Sequence, residues 1–181
     1  LTDAACDVVY AGSRTLDYEL PGTLSVLVDA PAWSGLERVP ARHQPLWNAA
    51  DDWTALPSPR EGVVHWVRVR RADVGPALAK RVGGQDGDMR RDVVWVVETD
   101  SLHAMVDLRT TVLALDAEGC GAPVVLRRSW SGLDDERLAL QAATDLGGPM
   151  IDGLGDGLWV DAPETPLAKR NTMSFGILQA A

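Results

Sequence analysis

The sequence has few of the residues that build metal and disulfide sites. It contains two cysteines among 181 residues, and these, Cys6 and Cys120, lie far apart in the chain. Redox pairs, zinc sites and iron–sulfur clusters need closely spaced cysteines, and no such spacing occurs here. The three histidines, His43, His65 and His103, also lack a metal-ligand spacing. The sequence therefore predicts no metal site in this chain, and it predicts core or surface positions for the histidines.

The chain is also poor in positive charge and in long apolar stretches. Its formal net charge is −9 and its pI is near 4.7. Nucleic acids and anionic membranes are bound mainly through clustered lysine and arginine, so this balance argues against both partners. No apolar run approaches the roughly 20 residues of a membrane helix, and no charged start followed by an apolar segment marks a signal peptide. We expect a cytoplasmic protein that binds neither nucleic acid nor membrane.

Phenylalanine and tyrosine are scarce, with one and two copies, whereas tryptophan occurs seven times. The apolar core must therefore consist of aliphatic side chains and indoles. A chain of this length buries about 70% of the surface that its unfolded form exposes. No linker divides it, and we expect one domain over residues 1–181.

Short apolar, β-branched runs alternate with helical patterns along the chain. The predicted strands cover residues 6–10, 24–29, 43–47, 63–71, 92–97, 123–128, 149–152 and 158–161. The predicted helices cover residues 73–82, 101–118, 133–146 and 165–180, with shorter ones near 32–36 and 49–56. Residues 83–88 are predicted to form a loop.

The helix predicted over residues 101–118 has the clearest periodic pattern. Its apolar residues recur at three- and four-residue steps, which is typical of a helix with one face on a core. The predicted core-facing residues are Leu102, Met105, Val106, Leu108, Val112, Leu113 and Leu115. Gly119 or Gly121 can end this helix in a left-handed conformation, and Pro123 favours extended chain next.

Alternating strands and helices predict a mainly parallel sheet covered by helices. Eight strand candidates permit closure into an α/β barrel of the TIM type. Full barrels typically have about 250 residues, so some helices of this TIM-barrel-like domain must be short or missing. An open doubly wound parallel sheet is the alternative.

Polar residues stand at the carboxyl ends of several predicted strands, where barrel enzymes place their active sites. These barrel-mouth candidates are Asp29, Arg70, Glu98, Arg127, Arg128 and Asp152, and Asp156 of the glycine-rich segment is counted with them. Neighbours on a strand point to opposite faces, so only one of Arg127 and Arg128 can point into the barrel. The arginines suit phosphate binding or salt bridges with Glu98. We favour salt bridges or an interdomain contact over a ligand site.

The glycine-rich segment 152–157 carries two carboxylates, Asp152 and Asp156, that could hold a hydrated cation. It lacks the lysine of a phosphate-binding loop and the glycine spacing of a dinucleotide-binding loop. A structural turn between two strands is the preferred interpretation. No residue of the chain is assigned a catalytic role.

Four segments in this order resemble the three-domain form of 4-hydroxy-3-methylbut-2-enyl diphosphate synthase, the IspG family. They are VVLRR at 124–128, LQAATD at 140–145, IDGLGDGLW at 151–159 and SFGILQAA at 174–181. The match is dense from about residue 93 to residue 181 and thinner before it. In such enzymes a substrate-carrying TIM barrel is followed by an inserted domain and then by a small iron–sulfur domain. The chain resembles the inserted domain, which is regarded as related to TIM barrels, and it ends just before the cluster-binding cysteines.

The resemblance implies that the full-length enzyme is an iron–sulfur oxidoreductase of isoprenoid biosynthesis. It would reductively convert 2-C-methyl-D-erythritol 2,4-cyclodiphosphate to 4-hydroxy-3-methylbut-2-enyl diphosphate, with a [4Fe-4S] cluster and electrons from ferredoxin or flavodoxin. This chain would hold no cofactor and would not be catalytic. It would contact the substrate barrel and the iron–sulfur domain of the same polypeptide and set their spacing. The alternatives are a docking module for an electron donor or a second subunit, through exposed tryptophans, and a free-standing small enzyme that uses the barrel mouth.

Overall fold

The computed structural model of the chain describes residues 6–51, 62–82 and 92–181. Within these ranges seven strands form a single sheet, and parallel ladders join each strand to the next one along the chain. The strands are β1 (Val8–Tyr10), β2 (Ser25–Asp29), β3 (His43–Asn48), β4 (His65–Val69), β5 (Val93–Glu98), β6 (Val124–Ser129) and β7 (Gly157–Asp161).

Helices fill most of the described connections between these strands, and one more helix follows β7. They are α1 (Ala30–Ser34), α2 (Pro76–Val82), α3 (Ala104–Ala117), α4 (Asp135–Ala142), α5 (Gly148–Ile151) and α6 (Leu167–Ala180). A π-helical turn, Ala143–Gly147, joins α4 to α5. Asp134 caps α4 by accepting a hydrogen bond from the backbone N–H of Arg137, and Gly119 follows α3 with a φ of +73°.

The strand order identifies the fold class. A doubly wound sheet reverses its strand order at a switch point, whereas these strands follow one another without reversal. The rings of Tyr10 on the first strand and Trp159 on the last have centroids 5.1 Å apart, so the sheet curls until its two edges face each other. The prediction of a TIM-barrel-like domain with short or missing helices is confirmed as a half-barrel, and the doubly wound alternative is wrong.

Four element predictions need correction or fall outside the described residues. The strand predicted over 149–152 is wrong, because Gly148–Ile151 is helical. Pro149 lacks a backbone N–H donor, and it follows the π-helical turn Ala143–Gly147, where the regular α-helical hydrogen bonding is interrupted. The helix predicted near 32–36 is α1, two residues earlier in the chain. The helix predicted over 49–56 lies mostly, and the loop at 83–88 wholly, outside the described residues.

The helices cover the convex face of the sheet and form the main core there. Alternate strand residues, among them Val67, Trp95 and Leu126, are fully buried against Leu108 and Leu138 of the helices. Within this core, the indole N–H of Trp95 donates a hydrogen bond to the carbonyl of Cys120 at 2.9 Å. On each strand, the residues that alternate with these core residues face the concave side, where many are only half-buried.

The apolar stripe predicted for α3 is only partly right. Leu108, Val112 and Leu115 are buried, but Leu102 is 93% exposed and Val106 and Leu113 are also exposed. Leu102 precedes the first residue of the helix, so the helical period does not apply to it. Thr111, which is not among the predicted core-facing residues, is buried, and its hydroxyl donates to the carbonyl of Asp107 at 2.7 Å. A satisfied threonine can occupy a core without an unpaired polar group.

In the described part of the chain, no helix is both long enough and apolar enough to cross a bilayer. Cys6 and Cys120 are free thiols, and burial raises the pKa of the Cys120 thiol.

Candidate functional site

The carboxyl ends of the strands bring polar side chains together on the concave face, at what we call the mouth. Glu98 pairs in register with Arg127, and Arg127 pairs with Trp159. Their strand neighbours Leu126 and Val160 belong to the core on the convex side. Because side chains alternate along a strand, Glu98, Arg127 and Trp159 point to the concave side.

Five charged residues form an ion-pair network at this mouth, which we call the mouth cluster. Glu98 is at its centre: one carboxylate oxygen accepts from Arg70 Nε at 3.1 Å, and the other is in close contact with Arg127 Nη1. Arg127 also donates to Asp161 at 2.6 Å, and Arg70 pairs with Asp100 at 2.7 Å. The side chains of Glu98 and Arg127 are 11% and 16% exposed, so these charges are largely shielded from water.

A second group of side chains continues the mouth toward β1. The Tyr10 hydroxyl donates to Asp29 Oδ1 at 2.8 Å, and Arg68 Nη2 lies 3.7 Å from the same oxygen. The Arg68 guanidinium also lies 5.5 Å from the centre of the Tyr10 ring. Burial, and next the hydrogen bond to Asp29, raise the pKa of the Tyr10 phenol. This hydroxyl is therefore a hydrogen-bond donor at neutral pH.

The charges of the mouth are paired within the chain. Three guanidinium groups, those of Arg68, Arg70 and Arg127, contact the four carboxylates of Asp29, Glu98, Asp100 and Asp161. A phosphate group is normally held by arginine or lysine donors that are free to form charge-assisted hydrogen bonds. Among the residues that the structure describes, each of these arginines already has a carboxylate partner. A diphosphate would have to displace a carboxylate in order to bind here.

The structure brings some of the predicted mouth residues together and places others elsewhere. Asp29, Arg70, Glu98 and Arg127 lie at the mouth, as described above. Arg128 points to the convex side, where its Nε lies 3.1 Å from Asp145 and its Nη1 donates to the carbonyl of Ser101 at 2.9 Å. Burial raises the pKa of the Asp145 carboxyl, and the opposing effect of Arg128 is the smaller one.

The two carboxylates of the glycine-rich segment lie away from the mouth, and each has a different partner. Asp152 forms an ion pair with Arg109 of α3. Asp156 accepts a hydrogen bond from the backbone N–H of Val124 at 2.8 Å, at the amino end of β6. Gly153 has a φ of +73°, which a residue with a side chain rarely adopts. The segment is a turn that attaches α5 to the sheet.

The described residues offer no set of three or more histidine, cysteine or acidic side chains that could hold a metal ion. The buried histidines have hydrogen-bond partners: His65 Nδ1 lies 3.2 Å from the indole nitrogen of Trp47, and His43 Nε2 lies 3.1 Å from the backbone nitrogen of Leu16.

Sequence reasoning missed five residues of the mouth: Tyr10, Arg68, Asp100, Trp159 and Asp161. Tyr10 and Asp161 end predicted strands, so the strand-end rule already pointed to them. Arg68 precedes Arg70 by two residues and therefore shares its face. Trp159 reaches the mouth because the sheet curls, and no local pattern of residues predicts that curl.

The fold and the mouth define a class of protein: a parallel α/β half-barrel of the TIM type whose mouth is filled by paired charges. Comparison with known proteins gives the particular relatives. The chain is 28% identical over 174 residues to the 4-hydroxy-3-methylbut-2-en-1-yl diphosphate synthase (flavodoxin) of Parabacteroides distasonis, which covers 96% of this chain and 26% of that protein. The enzyme of the same name from Porphyromonas gingivalis is 36% identical over 89 residues, 49% of this chain and 15% of that protein.

A third relative of this name, from Protochlamydia amoebophila, is 39% identical over 59 residues, 33% of this chain and 9% of that protein. The chain is thus homologous to a segment of these synthases, and the resemblance seen in its sequence is confirmed. It spans about a quarter of the length of the relative that it matches almost throughout. No family model matches the chain, and no solved structure matches it.

Proposed function

We propose that this chain is the inserted domain of a 4-hydroxy-3-methylbut-2-enyl diphosphate synthase and that it sets the distance and orientation between the enzyme's other domains. The observation that carries the proposal is the alignment with the Parabacteroides enzyme, which covers 96% of this chain but only 26% of that protein. A segment of this kind is one part of a longer catalytic polypeptide.

The whole enzyme, in this proposal, reductively opens 2-C-methyl-D-erythritol 2,4-cyclodiphosphate in isoprenoid biosynthesis, and the name of the relatives supplies both the product and flavodoxin as electron donor. A [4Fe-4S] cluster would supply electrons one at a time to the substrate. The described residues of this chain do not fit such a cluster, because they contain no group of three suitable ligands. The cluster would therefore be held by another domain of the polypeptide, and in this proposal the substrate would be held by the barrel domain.

The mouth cluster supports a structural role for this domain. Arg127 is in contact with Glu98 and Asp161 at the same time. Breaking a shielded ion pair leaves an uncompensated charge, which is strongly unfavourable. The pairs of the mouth cluster join β5, β6, β7 and Arg70, the residue after β4, and so help to hold the half-barrel in one shape. A rigid body of this kind suits a spacer between a substrate barrel and a cluster domain that must meet.

The docking alternative predicted several exposed tryptophans in one patch. Of the tryptophans in the described ranges, Trp33, Trp47, Trp95 and Trp130 are buried, and Trp66 and Trp159 are partly buried. This alternative therefore gains no support from them.

The first test is a thermal-shift titration of the isolated chain with the cyclodiphosphate substrate and with inorganic diphosphate, in salt that screens nonspecific ion binding. A ligand at 100 times its Kd would add about 2.7 kcal/mol of stability, which is about 5–10 °C in Tm for a domain of this size. We expect no saturable rise. A rise with the substrate that is abolished by Arg127→Ala would refute the spacer role and establish a ligand site at the mouth.

The second test uses the full-length enzyme that carries this segment. Replacing residues 1–181 by a flexible glycine–serine linker should lower kcat at least about tenfold, because the two flanking domains lose their fixed distance. Iron content and substrate Kd should stay unchanged. Retention of kcat in this variant would contradict the proposal.

A further inference from the structure

The half-barrel has two edge strands that share no ladder among the described residues. Among the described strands, β1 pairs with β2 only, and β7 pairs with β6 only. β1 is three residues long and none of its residues is fully buried. A short, exposed strand of this kind contributes few backbone hydrogen bonds and is among the first parts of a fold to open.

Side chains connect these edges where the backbone does not. The rings of Tyr10 on β1 and Trp159 on β7 meet at a tilt of 56°, an arrangement in which aromatic rings attract each other. The guanidinium of Arg68 lies over the Tyr10 ring at 5.5 Å, and that of Arg127 lies over the Trp159 ring at 4.9 Å. These four side chains, from β1, β4, β6 and β7, form a continuous stack that we call the aromatic bridge.

Ion pairs fix both ends of the aromatic bridge. Arg127 is held by Glu98 and Asp161, and Arg68 lies within ion-pair distance of Asp29, which also accepts the Tyr10 hydrogen bond. These ion pairs hold the guanidinium groups of Arg68 and Arg127 in place whether or not the Tyr10 and Trp159 rings are in contact. A ring that docks on a fixed partner loses less conformational entropy than one that must order its partner too.

We propose that the aromatic bridge is a latch that closes the half-barrel. Parting the Tyr10 and Trp159 rings would release β1 and open the concave face, while the ladders from β2 to β7 stay formed. The latch rests on the geometry of this chain alone and does not depend on the proposed function.

Hydrogen exchange of the chain's amides tests the latch. The backbone N–H groups of Ala11 and Ser25 donate across the β1–β2 boundary, to Leu27 and to Asp7, and report on the release of β1. The N–H of Trp95 donates to the carbonyl of Pro123 between β5 and β6 and serves as the internal reference.

The variants are Tyr10→Ala, Trp159→Ala and the double substitution, with Tyr10→Phe to keep the ring without its hydroxyl. Tyr18→Ala is the matched control, since Tyr18 is the chain's other tyrosine and is 60% exposed. Each alanine variant should speed exchange at Ala11 and Ser25 about tenfold, in line with a contact of this type. The double variant should be no faster than either single one, because each already opens the latch. Tyr10→Phe should exchange nearly as slowly as the wild type.

Three results would overturn the latch. One is exchange at Ser25 that matches the Tyr18→Ala control. Another is a double variant in which the two single factors multiply, since rings that act independently form no latch. The third is equal acceleration at Trp95 and Ser25, which would mean that the rings stabilise the whole sheet rather than one edge of it.

Discussion

Removing the charge of Glu98 tests whether the mouth cluster stabilises the domain. Glu98→Gln keeps the size of the side chain but replaces a carboxylate that contacts both Arg70 and Arg127. The two contacts contribute different amounts to the free energy of unfolding. Arg70 is 52% exposed, so water screens this pair and it contributes at most about 1 kcal/mol.

The contact with Arg127 is the larger part of the effect. Arg127 is 16% exposed and keeps Asp161 as a partner after the substitution. Loss of one hydrogen bond between charged groups costs about 1.5–3 kcal/mol, less than the 3–5 kcal/mol of a buried charge left with no partner. We expect Glu98→Gln to lower the free energy of unfolding by about 2–3 kcal/mol. For a chain of this length that lowers Tm by about 5–10 °C.

Urea denaturation with double-mutant cycles measures the effect, and the sequence supplies a matched control. Arg127 and Arg128 are neighbours with side chains 16% and 15% exposed, but only Arg127 contacts Glu98. The coupling free energy between Glu98→Gln and Arg127→Met should fall within about 0.5–3 kcal/mol, and that with Arg128→Met should stay within about 0.5 kcal/mol. Equal coupling to both arginines, or a loss below about 0.5 kcal/mol for Glu98→Gln, would refute the reasoning.

Two further predictions concern the convex side and two glycines, one after α3 and one inside α6. Because burial raises the pKa of the Asp145 carboxyl above its ordinary value of 3.8, the folded state binds a proton there more tightly than the unfolded state does, so stability falls as pH rises from that value through the raised pKa. Asp145→Asn removes this dependence, and its Tm relative to wild type should rise over the same interval; a difference that is constant with pH would contradict the expectation. Gly119→Ala should destabilise the protein by about 1–2 kcal/mol, because its φ of +73° disfavours a side chain. Gly176→Ala, inside α6 with open space around the added carbon, should stabilise it by about 0.5–1 kcal/mol, and thermal denaturation that gives both changes one sign would refute this contrast.

The sequence predicts most of the fold because its strands carry a strong local signal. Runs such as residues 92–97 are apolar and β-branched, and the long α3 has a clear helical period. Where an apolar run is short, this local signal does not distinguish a strand from a helix. Residues 149–152 combine proline with apolar side chains, and four such residues suit a buried strand and a buried helical turn equally well. Only the surrounding packing, in which Pro149 is buried near the start of α5, decides between them.

The candidate site is predictable to the extent that it follows from strand ends and alternation. Those two rules place Asp29, Glu98 and Arg127 at one mouth and allow only one of two adjacent arginines to point inward. They do not reveal that Tyr10 meets Trp159. That contact joins strands about 150 residues apart and depends on the curvature accumulated over the whole sheet, which is a property of the assembled fold.

The same ion pairs explain both the shape of the domain and its proposed lack of a ligand site. A barrel mouth that binds substrate must keep hydrogen-bond donors and aromatic faces free until the substrate arrives. Here Arg127 contacts Glu98, Asp161 and the face of Trp159 at once, so both of its terminal nitrogens are engaged within the chain. Removing Glu98 would weaken the domain and, in the same step, free part of a cation at the mouth. Stability and availability for a ligand are therefore opposed at this position, which is why the closed mouth cluster favours a structural role over a catalytic one.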